Sequence, residues 1–312
     1  MQKIELKAFR DFGALFNDAI KFLTKNSKSF FGSILMLAGP FVLLTGILFG
    51  VLIRFFFTVQ NINSTLGHSS PLKFLNSEFF GTSLIMGLIL ILTALVANAT
   101  VYIYFKLYLE IQESDLPVKR KNISPLLTRA SLRLLGNYML LALVSVGIFA
   151  VLAGVALLLG VKDNQILGIV LLIIFIVILL LLFPLLGYLI SAALYLSAKD
   201  NQSIFVALKR VLTYMRGNVL WTWVYMVCVS IMVGTINYIF MIPLYILTFV
   251  LTLTTNDTSS AGILTVSFVS LSMAGSLLFT NPILQTFIIF NFHSHEEKHE
   301  GSTLLIKIEN IS

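Results

Sequence analysis

Six long apolar stretches fill most of this chain and constrain it more than any other feature. Crossing ~30 Å of hydrocarbon takes about 20 apolar residues in a helix. Hydrocarbon offers no partners for backbone N–H and C=O groups, so a spanning stretch must satisfy them internally, as a helix. The runs are continuous rather than alternating, which argues against a transmembrane β-barrel. Only 11% of the 312 residues are charged, against roughly 25% in soluble domains. The sequence therefore predicts an all-α fold, a polytopic membrane helix bundle forming a single integral membrane domain over 1–312.

The predicted spans are about 29–57, 79–109, 135–160, 166–196, 219–253 and 263–292. An amphipathic N-terminal segment, 1–28, precedes them and a tail, 293–312, follows. Gly39-Pro40 is read as a break in the first span. Tyr102, Tyr104, Phe105 and Tyr108 at the end of the second are read as an aromatic belt at headgroup level. A polar loop over 58–78 and the turns VKDNQ and NDTSSAG join the spans into three hairpins. All but three of the 21 Lys and Arg residues fall on one side, the exceptions being Arg54, Lys73 and Lys162. The positive-inside rule makes that side the cytoplasm, with both termini there, in a bacterial inner membrane. This distribution accounts for the net charge of +7 without nucleic acid. No cleavable signal peptide is read, so the chain is expected to keep its N-terminus. The lone cysteine, Cys228, reads as a small buried hydrophobe.

Before each odd-numbered span lies a short stretch with apolar residues at helical spacing. Ile204, Phe205, Leu208, Val211, Leu212 and Met215 face Lys209, Arg210, Thr213 and Arg216. Ser124-Pro125 reads as a helix start, with the stripe Ile123, Leu126, Leu127, Ala130 and Leu134. Phe12, Leu15, Phe16, Ala19 and Leu23 repeat the pattern near the N-terminus. An apolar face with a cationic rim suits the inner membrane interface. Arg129, Arg133, Lys209, Arg210 and Arg216 are the candidate interfacial basic face. The chain thus reads as one unit used three times, a cytoplasmic-interface amphipathic helix followed by two transmembrane helices. AIKFLTKN, ASLRLLGN and ALKRVLTYMRGN share traces of that repeat.

The stretch ALYLSAKDNQSIFVALKRVLTYMRGNVLWTWVYM carries Ala207, Leu208, Lys209, Arg210, Gly217 and Asn218 at positions shared with a known group. It resembles the membrane domain found with bacterial glycerophosphodiester phosphodiesterases, and a group of related six-span bacterial proteins of unknown function. In such relatives an acidic residue precedes the helix, and Asp200 stands nearest here. The terminal segments resemble a version common in Bacteroidota-type bacteria. The resemblance implies the six-span architecture and carries no catalytic residue onto this chain. No segment is polar and long enough to form the soluble phosphodiesterase barrel.

His295, Glu296 and His299 match HExxH, in which two His on one helical face bind zinc and the Glu acts as general base. A catalytic zinc needs a third protein ligand. His68 is predicted across the membrane and His293 on another helical face. The tail is read as solvated and the match as coincidental, so no metal or cofactor is expected. Within the apolar runs, Asn98, Asn237, Asn281, Pro282 and Gln285 form the candidate polar intramembrane site. They read either as a broken helix lining a path or as interhelical hydrogen-bonding glue. No charged residue falls in the middle of any run, whereas ion-coupled carriers keep one there. The expected function is a non-enzymatic accessory or scaffold subunit, contacting membrane lipids and other integral membrane proteins or itself. The alternative is a transporter or channel for a lipid or small solute, and the third reading an HExxH membrane metalloprotease. Alternation in KIELK and in TLLIKIENI predicts that the two ends pair as strands.

Overall fold

The computed structural model describes residues 3–66, 77–113, 116–158, 165–254 and 275–301. The turns VKDNQ and NDTSSAG, residues 67–76 of the predicted 58–78 loop, the tail strand and the first half of the sixth predicted span lie outside or largely outside them, whereas 58–66 are helical rather than loop. Among the described residues the chain is helical, with no strand. The helices are α1 (Phe12–Leu66), α2 (Ser77–Glu110), α3 (Arg120–Leu158), α4 (Gln165–Asp200), α5 (Ile204–Met215), α6 (Val219–Thr254) and α7 (Asn281–Glu300). A π-helical turn, Ser276–Thr280, leads into α7.

Among the described residues five stretches are long and apolar enough to cross a membrane: Phe12–Thr45, Gly87–Glu110, Arg120–Gly147, Leu181–Asp200 and Val219–Ile242. Large apolar side chains stand exposed along them, among them Leu43, Leu88, Leu143, Phe183 and Ile231. Such continuous apolar surface suits lipid rather than water.

Five expectations are corrected. Of the three amphipathic stretches, only α5 is a separate helix; the first two run without interruption into α1 and α3. Nothing in LTKNSKSF or LLGNYM forces a stop, because Gly136 tolerates helical angles as readily as others. Pro40 does not break α1, which continues through it. The expected aromatic belt is interior, since Tyr102, Tyr104, Phe105 and Tyr108 are all at most 1% exposed. Cys228 is exposed, because Tyr225, Met226 and Val229 take the inward positions of that turn. KIELK is irregular rather than extended in a ladder.

The chain divides into two compact units interleaved in sequence. The first comprises 1–3, 20–127 and 231–286. Its core is aromatic: Phe22 stacks on Phe105 at 4.8 Å, and Phe30 meets Tyr104 edge-on at 5.0 Å. Tyr108 closes on Phe22 at 5.0 Å, also edge-on. Offset and edge-to-face pairs each add about 0.5–1.5 kcal/mol beyond burial. The Lys3 ammonium donates to the carbonyls of Leu109 and Ile111 at 3.1 and 2.5 Å, satisfying the end of α2 with a cation. Thr45 and Thr93 hydroxyls, 2.8 Å apart, tie α1 to α2.

The second unit comprises 4–19, 128–230 and 287–312. Here α5 packs against α4, burying Ile204, Ala207, Val211 and Met215. Phe205 and Leu212 of the predicted stripe are exposed instead, so only half of that stripe faces the protein. Ser203 caps the helix start by accepting from the Val206 N–H. Gly217, at φ +84, ends it in the left-handed region that a Cβ disfavours. The Asn218 N–H returns to the Met215 carbonyl at 2.9 Å.

Gly275 is placed by contact rather than by backbone angle: a Cβ there would run into the ring of Phe240. Gly275→Ala should therefore lower thermal stability in detergent, by about 1–3 kcal/mol for overpacking. Gly234→Ala, where a Cβ meets nothing within 4 Å, should not destabilise.

Candidate functional site

The predicted intramembrane polar residues come together in the first unit, with one exception. Asn98 and Tyr102 lie one turn apart on α2, and Asn281 and Gln285 one turn apart on α7. The Tyr102 hydroxyl donates to Gln285 Oε1 at 3.3 Å, and Gln285 Nε2 donates to Asn281 Oδ1 at 3.4 Å. Asn281 Nδ2 then donates to Asn98 Oδ1 at 2.9 Å. Gln285 and Asn281 each both give and accept, and Asn98 accepts at the far end, so the ladder links the two helices. Asn98 and Gln285 are buried. Pro282 lacks an N–H and follows the π turn, where Thr280 Oγ1 donates back to the Ser276 carbonyl at 2.6 Å. Asn237 does not join: its Oδ1 is buried without a hydrogen-bond partner among the described residues.

The second constellation is built on the polar half of α7, in the second unit. The predicted solvated tail is overturned for its first five residues. His293 is 0% exposed, Glu296 1% and Glu297 4%. The helix continues to Glu300 because Gly301, at φ +59, supplies the stop and its N–H returns to the Glu297 carbonyl. Lys298 and His299 in the last turn favour the negative end of the helix dipole.

Glu296 is the centre. Its Oε2 lies 2.6 Å from His293 Nδ1 and 3.5 Å from Lys7 Nζ, and its Oε1 lies 3.1 Å from Arg210 Nη2. Burial alone would raise its pKa. The His293 hydrogen bond, with the positive field of Lys199 and Lys7, more than offsets this and holds it at about 2. Burial also keeps His293 below its ordinary value. A neutral His293 donates from Nδ1 to the carboxylate, which leaves Nε2 to accept from the Tyr195 hydroxyl at 2.9 Å. Arg210 binds two further carboxylates, Asp200 at 3.0 Å and Glu300 at 3.3 Å. Its Nε donates to the Tyr214 hydroxyl at 2.9 Å, and that hydroxyl donates to Glu300.

The remaining HExxH residues are also committed. Thr222 Oγ1 donates to the Asn218 carbonyl at 2.9 Å and lies 2.9 Å from His295 Nε2, so His295 donates from that nitrogen. Burial, then Lys298 and His299, push its pKa down to about 4. His299 stacks at 5.6 Å on Tyr214. Among the described residues no three His, Cys, Asp or Glu side chains converge as metal ligands. Of the predicted basic face, Arg210 turns inward and Arg133 donates to the Ser197 carbonyl at 3.2 Å. Arg129, Lys209 and Arg216 are exposed.

Sequence reading missed Lys7, Arg10 and His293. Arg10 is 9% exposed and organises the N-terminal segment. Its Nε pairs with Asp18 at 2.7 Å, and Nη1 donates to the carbonyls of Leu6 and Ala8 at 3.0 Å each. The Arg10 N–H donates to Ser294 Oγ at 3.0 Å, which seats the segment on α7. The available signal was the i, i+3, i+7 spacing of His293, Glu296 and Glu300, which places them along one helical face.

No protein family, curated protein or solved structure matches the chain.

Arg210→Met should destabilise by about 3 kcal/mol, because it strands the buried Glu296 carboxylate, and Glu296→Gln by less, because the part-exposed Arg210 keeps Asp200 and Glu300. The double variant should cost less than their sum in thermal melts. His295, depressed in the folded state, contributes stability that is complete above pH 6.5 and lost as pH falls toward about 4. Glu296 adds a loss from about pH 4.5 toward 2. Melting temperature should fall across pH 6.5–4, and His295→Gln should flatten that slope.

Proposed function

We propose that the chain is a non-enzymatic multi-pass protein of a bacterial inner membrane, an accessory or scaffold subunit that works through contacts. Full neutralisation of Glu296 carries this reading. A general base needs a free lone pair near the operating pH, whereas this carboxylate is surrounded by Lys7, Arg210 and His293 and held at about 2. The intramembrane amides support it too, because the ladder from Tyr102 to Asn98 spends their hydrogen bonds on each other.

In this reading the six apolar runs form three hairpins, the basic side is cytoplasmic, and both termini lie there. Membrane lipids and other integral membrane proteins, or further copies of the chain, are the partners. The architecture is that of the six-span proteins resembling the membrane domain found with glycerophosphodiester phosphodiesterases.

A second reading, a transporter or channel for a lipid or small solute, draws on the π turn at Ser276–Thr280 and the unpaired Asn237 Oδ1. Such turns recur at functional sites.

Affinity purification in mild detergent with mass spectrometry should recover a reproducible integral-membrane partner, unchanged by Asn281→Leu. A lone monomer, or solute flux in proteoliposomes abolished by Asn281→Leu, would favour the second reading. In a Cys228→Ser background, cysteines placed at Lys121 and Lys162 should label from opposite membrane sides. Labelling from the same side would refute the hairpin topology.

A further inference from the structure

Beside the buried ion cluster, the second unit holds a cavity of about 430 Å³. That is within the size range of small-molecule sites. Three segments of the unit wall it: residues 9–15, residues 218–225 and the 291–298 part of α7. Much of the wall is apolar, from Phe12, Trp221 and Tyr225.

Two helices begin on this cavity, α1 at Phe12 and α6 at Val219. First-turn amides have no acceptor within their helix and carry the positive end of its dipole. On α1 one of these is already taken, because Asp11 Oδ1 accepts from the Ala14 N–H at 2.7 Å. The independent observation is Asn291. It lines the cavity, is 2% exposed, and its Nδ2 has no hydrogen-bond partner among the described residues. A buried amide donor left unpaired in a native fold calls for a ligand or water as acceptor.

The wall carries two cations, Arg10 and Lys298, against one carboxylate, Asp11. Arg10 is committed to Asp18 and to backbone carbonyls. Lys298 is not held by a carboxylate in this way: its ammonium donates to Asn218 Oδ1 at 2.8 Å and lies 5.8 Å over the Phe9 ring. The adjoining surface is apolar, with Phe9 63%, Leu220 74% and Trp221 64% exposed. Donors on the wall and an exposed cation at its edge, with exposed apolar residues beside them, match a ligand that is anionic at one end and greasy at the other.

We propose that this cavity binds the phosphate-bearing headgroup of an anionic phospholipid, with Asn291 Nδ2, Lys298 and the first-turn amides of α6 as donors. Phosphate oxygens only accept, and helix N-termini with a nearby cation are suited to them. The assignment rests on the reading that this end of the chain lies at the cytoplasmic interface. Free phosphate shares the same oxygen chemistry, and the experiment separates the two sources.

The chain has two tryptophans, so Trp223→Phe leaves Trp221, on the cavity wall, as the sole reporter. The full-length variant in nanodiscs is titrated with phosphatidylglycerol or phosphatidylcholine, each brominated on its acyl chain, and quenching is followed. Phosphatidylglycerol should quench at about fivefold lower mole fraction, the preference one cation confers near a membrane surface. Asn291→Leu and Lys298→Gln should each bring the two lipids toward equal quenching, and inorganic phosphate should not restore fluorescence. Recovery on adding millimolar phosphate would reassign the site to free phosphate. Equal quenching by both lipids without such recovery, or a preference unmoved in both variants, would overturn the proposal. Quenching by neither lipid would instead overturn the interfacial placement on which it rests.

Discussion

A carboxylate that is 1% exposed needs its charge met from several directions at once, and Glu296 sets that requirement for the second unit. No single element meets it. Lys7 comes from the irregular N-terminal segment, Arg210 from α5, and His293 from the turn of α7 that carries Glu296 itself. Each partner is held in turn by something else. Arg10 folds the N-terminal segment around its own guanidinium, Tyr195 orients His293, and Asp200 and Glu300 balance Arg210. The cluster thus fixes where three remote stretches of chain meet, and the cavity forms along the same segments.

The first unit is organised on different physics. Its aromatic core and its amide ladder hold few charges, as a chain immersed in hydrocarbon requires. Asn281 and Gln285 use both their donor and acceptor sides and Asn98 accepts from Asn281, so these polar groups sit among apolar helices paired with one another. Asn237 shows the contrast within the same unit, with one oxygen unmatched.

How much of this was legible follows from what sequence patterns encode. Helicity and membrane character were, because hydropathy reports the solvent of a segment directly. The ladder residues Asn98, Asn281 and Gln285 were picked out because polar side chains in apolar runs are rare; that Tyr102 completes the set depends on how α2 and α7 pack, which spacing does not reveal. The end of α5 was legible in Gly217-Asn218, yet the similar Gly136-Asn137 lies within an uninterrupted α3. Asn137 there donates to Ser197 Oγ at 2.8 Å instead of marking a cap. The tail was misread for a specific reason. Eight polar residues in a row signal solvent when judged by composition, but HSHEEKHE meets its countercharges more than 80 residues upstream, at Arg210, and near the N-terminus, at Lys7.

Both ends of α5 are set by residues in left-handed backbone, Asn201 at φ +57 before it and Gly217 at φ +84 after it. The 12-residue helix is therefore mechanically separate from α4 and α6, and no run of helical hydrogen bonds passes through either boundary. A helix this short is marginal when alone, so its persistence depends on four buried apolar contacts and one guanidinium. It is a detachable element in the sense of local unfolding: α5 would take Arg210 with it and uncover the Glu296 carboxylate while the long helices on either side stay wound. Loss of α5 would thereby change the charge balance around Glu296 without unwinding its neighbours.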